Sequence, residues 1–157
     1  MGLDHGLTRV TELGHRNDFK IVYNDGRVID PNGDSLGSNI CTLHVPVITW
    51  RKNYIFDQYL QDKIGEVENC GEVDVEKAVL RELMKNCRMC VEYYDGGVKE
   101  KDAVAFIEKV FGVQDSTSMK IKDWLVSYIA DFRLTFNALK HENFDDKDTY
   151  YKYWIWY

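Results

Sequence analysis

The chain has 157 residues, the length of one domain, and its 45% hydrophobic and 13% aromatic residues are enough to build a core. Two prolines and eleven glycines exclude a long linker or a disordered chain. A formal charge of -6, with Lys and Arg scattered among the acids, disfavours direct binding to nucleic-acid backbones.

The first pattern in chain order is a hairpin signal: β-rich runs at residues 19–23 and 27–30 flank Asn24-Asp25-Gly26, whose glycine tolerates the positive φ of a tight turn. A polar loop follows at residues 30–38. Residues 40–48 then read as a strand, with Cys41, Leu43, Val45 and Val47 on one face and Thr42, His44 and Pro46 on the other. Pro46 lacks an amide donor, which predicts an edge strand or a strand end.

Residues 50–64 read as a helix stopped by Gly65, with Ile55, Tyr59 and Leu60 toward one side. A short strand is predicted at residues 72–75. A longer helix over residues 76–94 carries Leu80, Leu83, Cys87, Val91 and Tyr94 along one stripe and closes at Gly96-Gly97. A third helix spans residues 102–111 and stops at Gly112. The fourth, over residues 120–140, has Trp124, Leu125, Tyr128, Ile129, Phe132, Phe136 and Leu139 at three- and four-residue intervals. After an acidic loop comes Tyr150-Tyr151-Lys152-Tyr153-Trp154-Ile155-Trp156-Tyr157, whose aromatic density predicts a terminal strand docked in a sheet. Together these elements predict one α+β domain over residues 1–157, with a small antiparallel or mixed sheet packed against about four helices.

No apolar run approaches the ~20 residues needed to cross a bilayer, and the start carries no signal-peptide pattern. Gly6 stands where myristoylation of a Met-Gly start wants Ser or Thr. The expectation is a cytoplasmic protein without a membrane partner. Cys41, Cys70, Cys87 and Cys90 are too few for a disulfide scaffold and read as reduced thiols.

Each chemical motif has a structural alternative. Cys87-Arg88-Met89-Cys90 and Cys41-Thr42-Leu43-His44 offer zinc-ligand types. Yet Cys41 and His44 sit three apart on a predicted strand, so they point to opposite faces, and Cys87 lies on an apolar helix stripe. Asp30-Pro31-Asn32-Gly33-Asp34 has its glycine one place early for a calcium loop, with Ser35 sixth and Cys41 twelfth, and reads as a turn. His5, His15, His44 and His141 are general bases in type, but no pattern pairs any of them with a nucleophile. No P-loop is present, and Asp145-Asp146 is unremarkable in so acidic a chain. No catalytic residue, metal or cofactor is expected.

Thr49-Trp50-Arg51-Lys52-Asn53-Tyr54 places a large aromatic, two cations and an amide at a strand-to-helix transition, where backbone amides are free. Aromatic stacking with Arg or Lys contacts holds a nucleobase and its phosphates. The alternative is that Trp50 anchors the helix in the core while Arg51 and Lys52 are solvated.

The Met1-Gly2-Leu3-Asp4 start, Trp50-Arg51-Lys52, Glu68-Asn69-Cys70-Gly71, the late amphipathic helix and the aromatic end resemble a group of small phage and prophage proteins of unassigned function. Members of that group read Met-Gly-Leu-Asp, then Trp-Arg-Lys-Ala-Asn with a His about seven residues after the Trp, then Asn-Cys. In this chain the Asn falls on Tyr54, or on Asn53 with a one-residue shift, and the His falls on Asp57. The resemblance implies an accessory protein that acts on host functions such as antiviral defence. It would do so by binding a host protein or by sequestering a nucleotide-derived immune signal without catalysis. Trp50, Arg51, Lys52 and Asn53, joined by Trp154 and Trp156 of the terminal strand, are the candidate ligand-binding residues. An acidic protein–protein inhibitor that mimics DNA and a small nucleotide-signal hydrolase are the alternatives, and a homo-oligomer remains open.

Overall fold

The computed structural model describes residues 2–12, 21–22, 28–29, 42–113 and 115–157. Its elements are β1 (Asp4–Glu12), β2 (Ile21–Val22), β3 (Val28–Ile29), β4 (Thr42–Arg51), α1 (Tyr54–Ile64), β5 (Glu72–Val75), α2 (Lys77–Asp95), α3 (Glu100–Phe111), α4 (Asp115–Leu139) and β6 (Thr149–Trp156). The fold is α+β, with an antiparallel four-stranded sheet in the order β4-β1-β6-β5 and a separate two-stranded pair, β2-β3. The β2-β3 pairing matches the expected hairpin strands; its turn, the loop at residues 30–38, His15 and Cys41 lie outside the described residues.

β1 is a central strand that sequence patterning did not reveal. It mixes His5, Thr8, Arg9 and Thr11 with only a few aliphatic residues, so no two-residue alternation stands out. Its place is set instead by its neighbours, β4 on one side and β6 on the other. β4 lies at the sheet edge, as Pro46 requires, since an edge strand can leave one side of its ladder without donors. A bulge separates Leu7↔Ile48 from Thr8↔Pro46. One extra residue on β4 reverses the parity of its side chains. Leu43, Val45 and Val47 are half-buried while His44 and Pro46 are exposed, yet beyond the bulge it is the even-numbered Trp50 that turns fully inward.

β4 also runs further than expected. The predicted helix start at residue 50 is overruled because Trp50 and Arg51 remain in the ladder opposite His5 and Asp4. Lys52 then takes a left-handed φ of 56° and Asn53 caps α1 by accepting a hydrogen bond from the Phe56 amide at 3.0 Å. α1 ends on Gly65 at φ 91° and α3 on the left-handed Gly112 at φ 64°, both conformations that glycine adopts without a Cβ penalty.

The helices cover one face of the sheet. α4 packs on β4 and on α2 and α3, and α1 meets β5. Leu80, Leu83, Cys87 and Cys90 of α2 and Leu125, Tyr128, Ile129, Phe132 and Leu139 of α4 are buried together with Ile55, Phe56 and Leu60 of α1. Trp124, expected on the buried stripe of α4, is instead 49% exposed. Its own φ and ψ of -125° and 21° are non-helical, so the kink there rotates its ring out of register with the stripe that follows. β6 lies in the sheet interior between β1 and β5, with Tyr151, Tyr153 and Ile155 inward. No helix of the described residues is long and apolar enough to cross a membrane.

At Gly6 the neighbouring strands approach closely. A Cβ there would lie 2.5 Å from the Ile48 carbonyl oxygen and 2.8 Å from the Trp154 ring, so β4 and β6 close on a bare backbone. Gly6→Ala should lower stability by roughly 1–3 kcal/mol, as overpacking of a rigid site does. A lower urea midpoint with an unchanged m-value would show it.

Candidate functional site

The six candidate residues divide between the two faces of the sheet. Trp50 is only 1% exposed. Its indole N–H donates to the Thr135 hydroxyl of α4 at 2.8 Å, and its ring lies 5.0 Å from Phe56 and 5.1 Å from His5. Trp50 therefore anchors the end of β4 in the core, the alternative that the sequence left open, and its ring is not available to a ligand. Asn53 is buried too. Besides capping α1, it donates from Nδ2 to Asp131 of α4 at 2.8 Å, so every part of its amide serves the join between α1 and α4.

The other four meet around Asp4, a residue the sequence did not single out as part of a site. Cross-strand pairing sets Arg51 on one side of Asp4 and Trp156 on the other, and directly paired residues point to the same face. This is the outer face, because the neighbouring row His5–Trp50–Ile155 is buried. Along β1, Asp4 is flanked two residues away by Gly2 and Gly6. The Lys52 side chain fills the place where a Gly2 Cβ would point, at 3.0 Å, and the Trp154 ring does the same over Gly6. Arg51 and Trp156 thus stand directly beside the carboxylate, and Lys52 and Trp154, set over the two flanking glycines, form a looser ring with them.

The ring is open to solvent. Trp156 is 62% exposed, and the side chains of Arg51 and Asp4 are 79% and 45% exposed. Arg51 Nε stands 3.9 Å from the Asp4 carboxylate, a loose pair that leaves both groups free for other partners. A depression of about 170 Å³ is lined by Gly2, Asp4, Trp156 and Tyr157, and one of about 330 Å³ by Cys70, Gly71, Glu72, Trp154, Ile155 and Trp156. They share Trp156, and together they reach the few hundred Å³ typical of small-ligand sites. A third depression, about 490 Å³ on α3 and α4, is lined by Glu100, Lys101, Val104, Ala105, Glu108 and Lys122, with no aromatic surface.

Tyr157 is held in place from beneath. Its amide donates to the Asn69 side chain at 2.7 Å, and its hydroxyl reaches Asp57 Oδ2 at 3.4 Å. Asp57 Oδ1 also accepts from Gln61 at 2.7 Å and from the Tyr153 hydroxyl at 2.8 Å. The Tyr153 proton being given to Asp57, the His5 Nδ1 at 3.0 Å must donate to the Tyr153 oxygen, which assigns the ring its Nδ1–H tautomer. Nε2 is then a bare, buried lone pair with no hydrogen-bond partner among the described residues. Burial drives the His5 pKa down to about 3; the Asn53 backbone, which a charged ring could reach, opposes this more weakly. His5 is a neutral internal strut, supported by Asp57 through the Tyr153 hydroxyl.

The Cys87-Arg88-Met89-Cys90 motif resolves into packing. Cys87 and Cys90 are buried in α2, and burial pushes Cys87 well above the usual thiol range and Cys90 up to about 12, so both stay protonated. Cys70 is exposed. Among the described residues, no group of three His, Cys, Asp or Glu side chains is placed to hold a metal ion. Comparison with family models, with curated proteins and with solved structures finds no match to this chain.

Trp50→Ala should cost about 3–5 kcal/mol, because it empties a large core site and leaves the Thr135 hydroxyl unpaired; thermal unfolding followed by circular dichroism measures this. His5 supplies a pH signature. Above its unfolded value of 6.5 it is neutral in both states and contributes no slope. As the pH falls, the unfolded chain takes up a proton that the folded chain refuses. Stability is therefore lost progressively down to about pH 3, by at most about 1.4 kcal/mol per pH unit. Urea titrations from pH 7 to pH 4 should show a shallower loss in His5→Gln, whose amide can still donate to Tyr153.

Proposed function

We propose that the chain is a non-catalytic binding protein that captures a nucleotide-like small molecule on the outer face of its sheet. The observation that carries this reading is the row Arg51–Asp4–Trp156 across three adjacent strands. With strands about 4.8 Å apart, the guanidinium and the indole stand on strands about 10 Å from each other, with a carboxylate between them. An exposed indole stacks a base, and a guanidinium binds phosphate through its fork of donors. Lys52, whose ammonium lies 5.9 Å from the Trp124 ring centre, adds a second positive charge at the same end. Such a face retains a ligand and leaves it chemically unchanged. In the setting implied by the phage resemblance, the protein would act in the host cytoplasm as a counter-defence factor that withholds a nucleotide-derived immune signal.

A second reading, an acidic protein–protein inhibitor, draws on a different surface. Val126 and Leu134 of α4 are exposed, on a chain whose net charge of -6 favours basic partners.

Calorimetric titration with cyclic nucleotides and ADP-ribose derivatives tests the first reading. Binding of at least one of these nucleotides is expected, and that ligand should be recovered intact after heat denaturation. Degraded product would point to a hydrolase, and failure to bind any nucleotide would favour the inhibitor. Arg51→Ala and Trp156→Ala should each weaken binding by roughly ten- to a hundredfold, the loss expected of one charge-assisted or stacking contact. Because both side chains are exposed, neither change should move stability by more than about 0.5 kcal/mol.

A further inference from the structure

We infer that Asp4 makes this face selective for ribonucleotides whose 2′ and 3′ hydroxyls are both free and whose phosphate is on the 5′ side. This rests on the nucleotide reading above and names the class of ligand that the same site takes. The argument begins with order. Along the row the groups run indole, carboxylate, guanidinium, and along a nucleotide the groups run base, sugar, 5′-phosphate. A base stacked on Trp156 and a phosphate at Arg51 leave the sugar over Asp4.

The chemistry at that middle position is one-sided. An ionised carboxylate only accepts hydrogen bonds, and its two oxygens together have about four lone-pair positions. The pair to Arg51 is long at 3.9 Å and involves Oδ1, so acceptor capacity is left facing solvent. Two neighbouring hydroxyls present two donors at the spacing of two carboxylate oxygens. Removing a hydroxyl removes a donor, and replacing one with phosphate brings a negative charge against Asp4.

The surroundings hold the carboxylate for this role. Gly2, just before β1, and Gly6 within it carry no side chain beside Asp4, while the Lys52 stem and the Trp154 ring occupy those two places as walls. On the Trp156 side, the depression lined by Gly2, Asp4, Trp156 and Tyr157 gives the sugar edge somewhere to sit. Tyr157 cannot swing freely into it, because Asn69 and Asp57 tether its amide and hydroxyl.

The test is calorimetric titration of ADP and GDP, each beside its 2′-deoxy and 2′,3′-dideoxy forms, against the wild-type chain and Asp4→Asn. Wild type is expected to bind at least one ribonucleotide roughly tenfold or more tightly than its dideoxy form, the size of a hydrogen bond to a charged group. In Asp4→Asn the preference should shrink to within about twofold, while affinity for the dideoxy form holds or rises because a negative charge beside the phosphate has gone. A ribonucleotide and its dideoxy form bound equally by wild type would overturn this inference alone. So would a preference that survives intact in a folded Asp4→Asn variant. Failure of every nucleotide to bind would overturn it together with the reading it rests on.

Discussion

β1 is hydrogen-bonded on both edges, to β4 and to β6, and that double pairing decides which of its side chains meet water. A strand in this position cannot rotate without breaking two ladders, so its alternation is imposed on its neighbours. His5 faces the helices, with Trp50 and Ile155 beside it; Asp4 faces out, with Arg51 and Trp156 beside it. Shifting β4 by one residue would turn Trp50 outward and Arg51 inward, and shifting β6 would turn Tyr151 and Tyr153 outward and Trp154 and Trp156 inward. The inward row is therefore the reason that the outward row exists with its particular chemistry. The Trp50–Thr135 hydrogen bond and the His5–Tyr153–Asp57 chain hold that register from the core side.

Two local irregularities bring the ladder to this arrangement. Without the bulge opposite Leu7 and Thr8, the alternation that buries Leu43 and Val45 would send Trp50 outward and Arg51 into the core. A buried, unpaired guanidinium would be far more costly than the bulge. The second irregularity is the left-handed Lys52. A lysine gains nothing locally from that conformation, which costs roughly 1–2 kcal/mol. It is sustained because the flanking residues are pinned: the Lys52 amide donates to the Leu3 carbonyl at 2.6 Å, and Asn53 is committed to α1 and α4. The same turn lays the Lys52 stem over Gly2.

Much of this architecture was legible in the sequence. The helices are amphipathic patterns, the first three with glycine stops, and the aromatic run after residue 149 has too much β-propensity and apolar surface to lie outside a sheet. Pro46 marked its strand as an edge. What was not legible depends on pairing. β1 carries no periodicity of its own, and the bulge, which makes Trp50 a core residue, is a relation between two strands. Trp124 fails for a different reason: its spacing fits a regular helix, and the backbone there is not regular. The candidate site was half legible by the same logic. Arg51, Lys52, Trp154 and Trp156 were found from residue type, whereas Asp4, which sits among them, could be found only from register.

The site's chemistry also resolves an apparent conflict in the charge of the chain. A net charge of -6 opposes an anionic ligand at long range, but that field is screened beyond about 8–10 Å at ordinary ionic strength. At shorter range the local pattern governs, and here two cations, Arg51 and Lys52, face one carboxylate. Lys152 adds little, being tied to Glu72 at 2.6 Å. The surplus is a single positive charge set beside exposed aromatic surface. Such a surface suits a small ligand that carries one or two phosphates on an aromatic base better than a polyanion. A polyanion would extend past Arg51 and Lys52 into the acidic remainder of the surface, where each further phosphate is repelled. On the proposed nucleotide reading, the excess of acid would act as a size filter. It would disfavour long nucleic acids while leaving room for one nucleotide-sized anion at the end of the sheet.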